Sequence, residues 1–259
     1  MALSTFGRLV RTGLKRALYT QMTLREAVLV ARGKSKPLIR FVVEDSPPST
    51  YYNYRIPDDR VSALEQHLQL PAGFPLAKVQ TVDDEEPYYC LTLNTYRVSG
   101  ITNGVRSEWS VYVDTGDGVP RYMVVEARQD GTSMDPVDII TRASRVEHSV
   151  AGDRMRTFVE SKRGQGFRAE CALPGKDATR IPAARAWVEA NDLIYWRNGV
   201  SDRTYYGAGL ANGRMWKLSS DTYSVKNDTE WTPFVEPEVR EVLVFTDPLE
   251  FIISPWWNL

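Results

Sequence analysis

Asn103-Gly104-Val105-Arg106-Ser107-Glu108-Trp109-Ser110-Val111-Tyr112-Val113-Asp114 is the stretch whose reading decides the fold. With a period of two, Arg106, Glu108, Ser110 and Tyr112 fall on one side of a strand. Val105, Trp109, Val111 and Val113 fall on the other. The Asn103-Gly104 dipeptide supplies two positive-φ residues and predicts a two-residue hairpin turn before the strand. Thr115-Gly116-Asp117-Gly118 then turns the chain into a second strand over residues 119–128, and Tyr88 opens a third upstream. A ribbon with one apolar face and one face of charge and phenol is either half solvated or wrapped around a polar cavity.

Outward from that ribbon the pattern stays β-rich. Strands are expected over 38–43, 76–82, 137–150, 155–162, 167–173, 193–196, 204–206, 214–218, 239–245 and 249–253. Gly- and Asn-rich turns separate them. Helices are expected over 3–18, from Thr23-Leu-Arg-Glu26 to Arg32, from Asp58 or Asp59 to Leu68, and from Pro182 to Asn191. No βαβ alternation is present. The expected class is therefore a β-rich α+β fold, a cone-like or closed antiparallel β-barrel with a helical arm and one or two short peripheral helices. The Pro47-Pro48 loop divides the chain into a basic arm with a first strand (1–45) and a β domain (46–259).

Composition narrows the function classes. Residues 1–40 carry nine basic side chains against Glu26 alone, and the rest of the chain carries 23 basic and 32 acidic ones. An acidic body argues against nucleic-acid binding. Residues 3–18 plot as an amphipathic helix with Arg8, Arg11, Lys15 and Arg16 on one half, suited to packing on the body or a sister subunit, to peripheral membrane contact, or to service as an organelle-targeting peptide. No apolar run approaches the roughly 18 residues of a membrane span, and no secretory signal is visible. Cys90 and Cys171, each in a strand-like run, read as buried small hydrophobes in a reducing, cytoplasmic compartment. His67 and His148 are too few for a metal site, so neither metal nor cofactor is expected.

Several segments, taken in order, resemble the acetoacetate decarboxylase superfamily. These are Tyr54-Arg55 before a short helix, Leu70-Pro71-Ala72-Gly73-Phe74, Tyr96-Arg97-Val98-Ser99-Gly100, Val111-Tyr112-Val113-Asp114, and Pro120-Arg121-Tyr122-Met123-Val124-Val125-Glu126. The resemblance implies a cone-like barrel around a pocket, in which a lysine of lowered pKa forms a Schiff base with a β-keto acid. This chain departs from that pattern. Gln129-Asp130-Gly131-Thr132-Ser133-Met134-Asp135-Pro136 stands where the lysine would follow the second paired strand. Lys78 and Lys217 are the strand-borne lysines elsewhere.

The expected chemistry is therefore acid–base rather than Schiff-base. Arg97 and Arg106 are candidates to hold a substrate carboxylate, with Tyr122 and His148 as further substrate contacts. Glu108 and Glu126 are candidates for proton transfer, with Arg121 and Tyr112 as electrostatic partners of a developing enolate. In this reading Tyr122 and Glu126 share a strand face. The competing account of the same residues is a cross-strand ion-pair ladder facing water. The expected function is a lyase-like small-molecule enzyme (decarboxylase, dehydratase or cyclase type). Its substrate would be a keto acid or a polyketide-like, lipophilic molecule of secondary metabolism, and the protein could be a homo-oligomer. The alternative is a non-catalytic carrier of a lipophilic ligand or a membrane-peripheral binder.

Overall fold

Tyr88 to Gln129 forms the antiparallel ribbon that its alternation predicts, and the remaining strands are added to its edges. The computed structural model describes residues 40–70, 73–83, 85–100, 103–131, 140–142, 145–161, 166–175, 178–184, 192–197, 200–206, 214–245 and 249–254. The basic arm over 1–39 and Trp256-Trp257 lie outside the described residues. In chain order the strands begin with β1 (Arg40–Val43), β2 (Ser49–Arg55), β3 (Lys78–Val79), β4 (Tyr88–Gly100), β5 (Gly104–Asp114) and β6 (Pro120–Gln129). They continue with β7 (Ile140–Arg142), β8 (Val146–Ala151), β9 (Arg154–Val159), β10 (Gly166–Ala172), β11 (Ile181–Pro182) and β12 (Asp192–Arg197). The last are β13 (Val200–Tyr206), β14 (Arg214–Lys217), β15 (Tyr223–Asp228), β16 (Glu241–Phe245) and β17 (Leu249–Ser254).

Two sheets result. The larger runs β1-β17-β13-β12-β6-β5-β4-β2-β16-β14-β11, and β1 also pairs with β4 at Val43↔Val98, so the pairings return to their start. The smaller is the meander β15-β10-β9-β8. Most pairings are antiparallel, but β6 pairs parallel with both β12 and β7, which corrects the all-antiparallel expectation. The smaller sheet covers one face of the larger. Phe167 packs 4.8 Å from the Tyr52 ring, the Tyr52 hydroxyl meets Thr157 Oγ1 at 2.9 Å, and Leu91, Leu93, Trp109 and Val111 share that core. We call this the sandwich face and its opposite the inner face.

The helix α1 (Val61–Leu68) follows a 3-10 turn at Asp58–Arg60 and buries Leu64 and Leu68, as its spacing predicts. Neither aspartate caps it through its side chain; instead Gln69 closes it at φ 53°. The helix expected from Pro182 does not begin there. Ile181–Pro182 pairs with Arg214 and Met215, Ala183 bridges Val82, and 185–191 lies outside the described residues. Proline is tolerated because this short strand sits at the end of its sheet.

The Asn103-Gly104 turn is also longer than predicted. The last ladder pair is Val98↔Gly104, and on the other edge of β4 Val98, Ser99 and Gly100 pair with β1. Gly104 keeps its positive φ of 111°, and a Cβ there would lie 2.8 Å from the Gly131 nitrogen. The backbone passes too close for any other residue.

Candidate active site

The site follows from a single irregularity in the ladder. Along β5 and β6 the register runs Arg106↔Gln129, Glu108↔Ala127 and Trp109↔Glu126, then jumps to Ser110↔Val124. Val125 is the extra residue of a β-bulge, and the two residues of a bulge share one side of the sheet. Val125 and Glu126 therefore both turn to the sandwich face. Val125 packs on the Trp109 core, and Trp231 Nε1 of that core donates to Glu126 Oε2 at 3.1 Å. The period-two expectation that Tyr122 and Glu126 share a face is corrected by this one inserted residue.

On the inner face stand Arg106, Glu108, Ser110, Tyr112 and Tyr122. Arg106 Nε lies 2.8 Å from Glu108 Oε1, and both side chains are at most 2% exposed. Cross-strand, Tyr96 stands opposite Arg106, and Asn94 opposite Glu108. On the other neighbour of Glu108 is Ala127, a small side chain beside a carboxylate. Ser49 Oγ donates to Asn94 Oδ1 at 3.2 Å, and Tyr51 of β2 joins from the same side. Tyr112 and Tyr122 meet edge to face at 5.5 Å.

Electrostatics fixes the state of the phenols. Burial first, and the Glu108 carboxylate second, pushes both Tyr51 and Tyr122 well above the usual phenol range. Both hydroxyls are therefore protonated donors at every working pH. An ion pair removed from water this completely is costly unless its remaining lone pairs and protons are satisfied. Its retention beside three phenols and an amide makes a polar constellation, not a solvated ladder.

The structure does not bring the other predicted residues into this cluster. Glu126 pairs with Arg128 at 2.7 Å, and Arg128 also reaches Glu230 at 3.7 Å, all on the sandwich face. Arg121 holds Asp117 at 2.5 Å at the β5–β6 turn. Arg97 is half exposed and pairs with Glu44 at 3.2 Å. His148 is buried between the sheets. Its Nε2 lies 2.8 Å from the Pro48 carbonyl, which can only accept, so Nδ1 accepts from Thr157 at 2.9 Å.

Sequence reading missed Tyr51 and Asn94, which reach the site only through the β2–β4 pairing Tyr51↔Asn94. The phenol-dense run 51–54 was the available signal. A second buried polar network was also missed. Glu241 accepts from Asn53 Nδ2 and the Tyr88 hydroxyl, each at 2.8 Å, and from Thr81 Oγ1, while Lys217 Nζ stands 3.5 Å away. Lys217 also pairs with Glu85. Lys78 stands near Asp58 and over the Tyr89 ring, and Lys226 lies on the far side of the smaller sheet. Among the described residues these are the lysines, and none has an ion pair with Glu108. Cys90 and Cys171 are buried free thiols, as expected.

No protein-family model and no curated protein matches the sequence. Solved structures do match. The acetoacetate decarboxylase of Legionella pneumophila subsp. pneumophila str. Philadelphia 1 superimposes with a TM-score of 0.54 at 12% identity, covering 84% of this chain and 85% of that one. A second acetoacetate decarboxylase gives 0.53 at 10% identity, covering 84% and 88%. At such identities the likeness speaks for the backbone path and for nothing finer. With most of both chains superimposed, this protein has the acetoacetate decarboxylase-like fold.

Proposed function

We propose that the protein is a small-molecule enzyme that moves a proton at a carbon next to a ketone, without a lysine Schiff base. The observation that carries this reading is the Arg106–Glu108 pair, 2.8 Å apart on the inner face among the Tyr51, Tyr112 and Tyr122 phenols. The strand circuit β4-β5-β6-β12-β13-β17-β1-β4 is read as a closed barrel with this face inward. A keto acid, or a longer polyketide-like molecule with a carboxylate end, would enter it.

Each group then has one task. The Arg106 guanidinium exchanges Glu108 for the substrate carboxylate, a two-pronged contact that fixes the chain. Glu108, released from that pair, takes the proton from the carbon acid. The electron pair of the broken C–H bond moves onto the ketone oxygen, where the neutral Tyr122 phenol donates a hydrogen bond to the enolate. Tyr112 holds Tyr122 in place by its edge-to-face contact. Return of the proton to another position completes an isomerisation. Loss of a β-hydroxyl from the enolate as water, with the proton returned by Glu108, completes a dehydration.

The test is deuterium incorporation from D2O into a panel of 2-oxo and 3-oxo acids, followed by proton NMR. One member is expected to exchange in a protein-dependent way, and Glu108→Gln is expected to slow it by about 100-fold or more. Borohydride added during turnover should leave no substrate adduct on lysine. Unchanged exchange in a Glu108→Gln protein with native near-UV circular dichroism overturns the assignment, and so does a trapped lysine adduct.

A further inference from the structure

The smaller sheet has an outer face that the reaction above does not use. Strands β8, β9, β10 and β15 leave a groove of about 390 Å³ there, lined by Arg145, Glu147, Arg156, Phe158, Arg168, Glu170 and Lys226 among others. Arg154 stands at its edge through Glu170, 3.8 Å away. Five cations thus meet two carboxylates, although the chain beyond residue 40 has nine more acidic than basic side chains. This local reversal of sign needs an explanation.

The arrangement of those cations supplies one. Arg156 and Arg154 share the Glu170 carboxylate, and Arg145 Nε donates to Glu147 at 2.6 Å. Arg168 and Lys226 are different. The ladder places them directly opposite each other, a like-charge pair that costs stability on a sheet surface. Neither has a carboxylate partner among the described residues. Phe158, in the middle strand, carries the guanidinium of Arg145 at 4.6 Å and that of Arg168 at 5.3 Å from its ring centre. Stacking engages the plane of a guanidinium and leaves its in-plane N–H donors available. Arg168 is therefore oriented by an aromatic ring, with its fork of donors unspent and an ammonium group across the ladder.

We infer that this groove is a binding site for a soluble phosphorylated small molecule, with the phosphate between Arg168 and Lys226. A phosphate dianion removes the like-charge repulsion, accepts the guanidinium fork in a bidentate manner and takes the ammonium as a point charge. The volume falls within the range of small-molecule sites. Glu147 and Glu170 rim the anion position and favour a compact charge between the two cations over an extended polyanion.

Inorganic pyrophosphate titrated into the full-length protein by calorimetry, at about 50 mM and again at about 200 mM salt, is the direct test. The expected result is saturable one-to-one binding that weakens with salt. It should fall at least about tenfold in Arg168→Gln and in Lys226→Gln. Both side chains lie on a sheet surface, so thermal unfolding should confirm intact variants. Co-sedimentation with phosphatidic acid vesicles, with and without pyrophosphate, separates the soluble ligand from a lipid headgroup. Binding to vesicles alone overturns the inference. Absence of pyrophosphate binding, or binding that both variants leave unchanged, does so too.

Discussion

Arg106 and Arg97 lie on neighbouring strands with carboxylates beside them, yet their surroundings assign them opposite weights. Arg97 is half exposed, and an ion pair in water is worth less than about 1 kcal/mol. Arg106 is buried with its partner, where removing one of the two strands the other charge at a cost of about 3–5 kcal/mol. Urea denaturation of Arg106→Ala and Arg97→Ala should reproduce that contrast. His148 gives a second residue-scale expectation. Burial lowers its pKa from 6.5 to about 4, and the neutral ring is held by Thr157 and the Pro48 carbonyl. Between those two values the unfolded chain binds the proton and the native one does not. His148 therefore contributes stability at neutral pH that is lost as pH falls from about 6.5 toward 4, at up to about 1.4 kcal/mol per pH unit. Chemical denaturation across that window should show the slope, and His148→Gln should flatten it.

At the scale of elements, Gly104 is a position that tolerates no side chain. A Cβ would meet the Gly131 nitrogen at 2.8 Å while φ stays at 111°. Gly104→Ala should cost about 1–3 kcal/mol, read from the shift in its denaturation midpoint. The same scale shows what was legible in the sequence. β5 announced itself by alternation, and the β9–β10 hairpin by two apolar runs about a Gly-containing turn. β15 did not, because Tyr223–Asp228 alternates only between half-buried and exposed, with no strong apolar side to read. Pro182 opens no helix because local propensity cannot register a ladder with Arg214 and Met215, some thirty residues away. Of the site, Arg106 and Glu108 were visible as charges two apart in an apolar strand. Tyr51 and Asn94 depend on strand pairing, and Glu241 opens an apolar strand where a carboxylate ordinarily reads as surface.

For the molecule as a whole, the two sheets share one hydrocarbon layer. Phe167 touches both Tyr52 and Trp109, at 4.8 and 6.2 Å between ring centres, and Thr50 Oγ1 meets Met155 Sδ at 3.2 Å. Neither sheet then has a private core over this region. Phe167→Ala should cost about 3–5 kcal/mol, with near-UV and far-UV signals still melting together. Separate transitions would show two independent units.

Val125 has a meaning beyond local geometry. With it, β6 counts differently before and after the ladder's jump: Tyr122, four residues from Glu126, looks toward the Arg106–Glu108 face and Glu126 toward the seam between sheets. Take that residue away and the ladder runs on evenly, Ser110↔Val124 followed by Trp109↔Glu126, so Glu126 and Arg128 keep their face. Keep every residue but flatten the bulge, and the strand slips by one, which sets Glu126 opposite Glu108 as two like charges side by side. The extra residue is thus what holds two carboxylates of adjacent strands on opposite sides of one sheet.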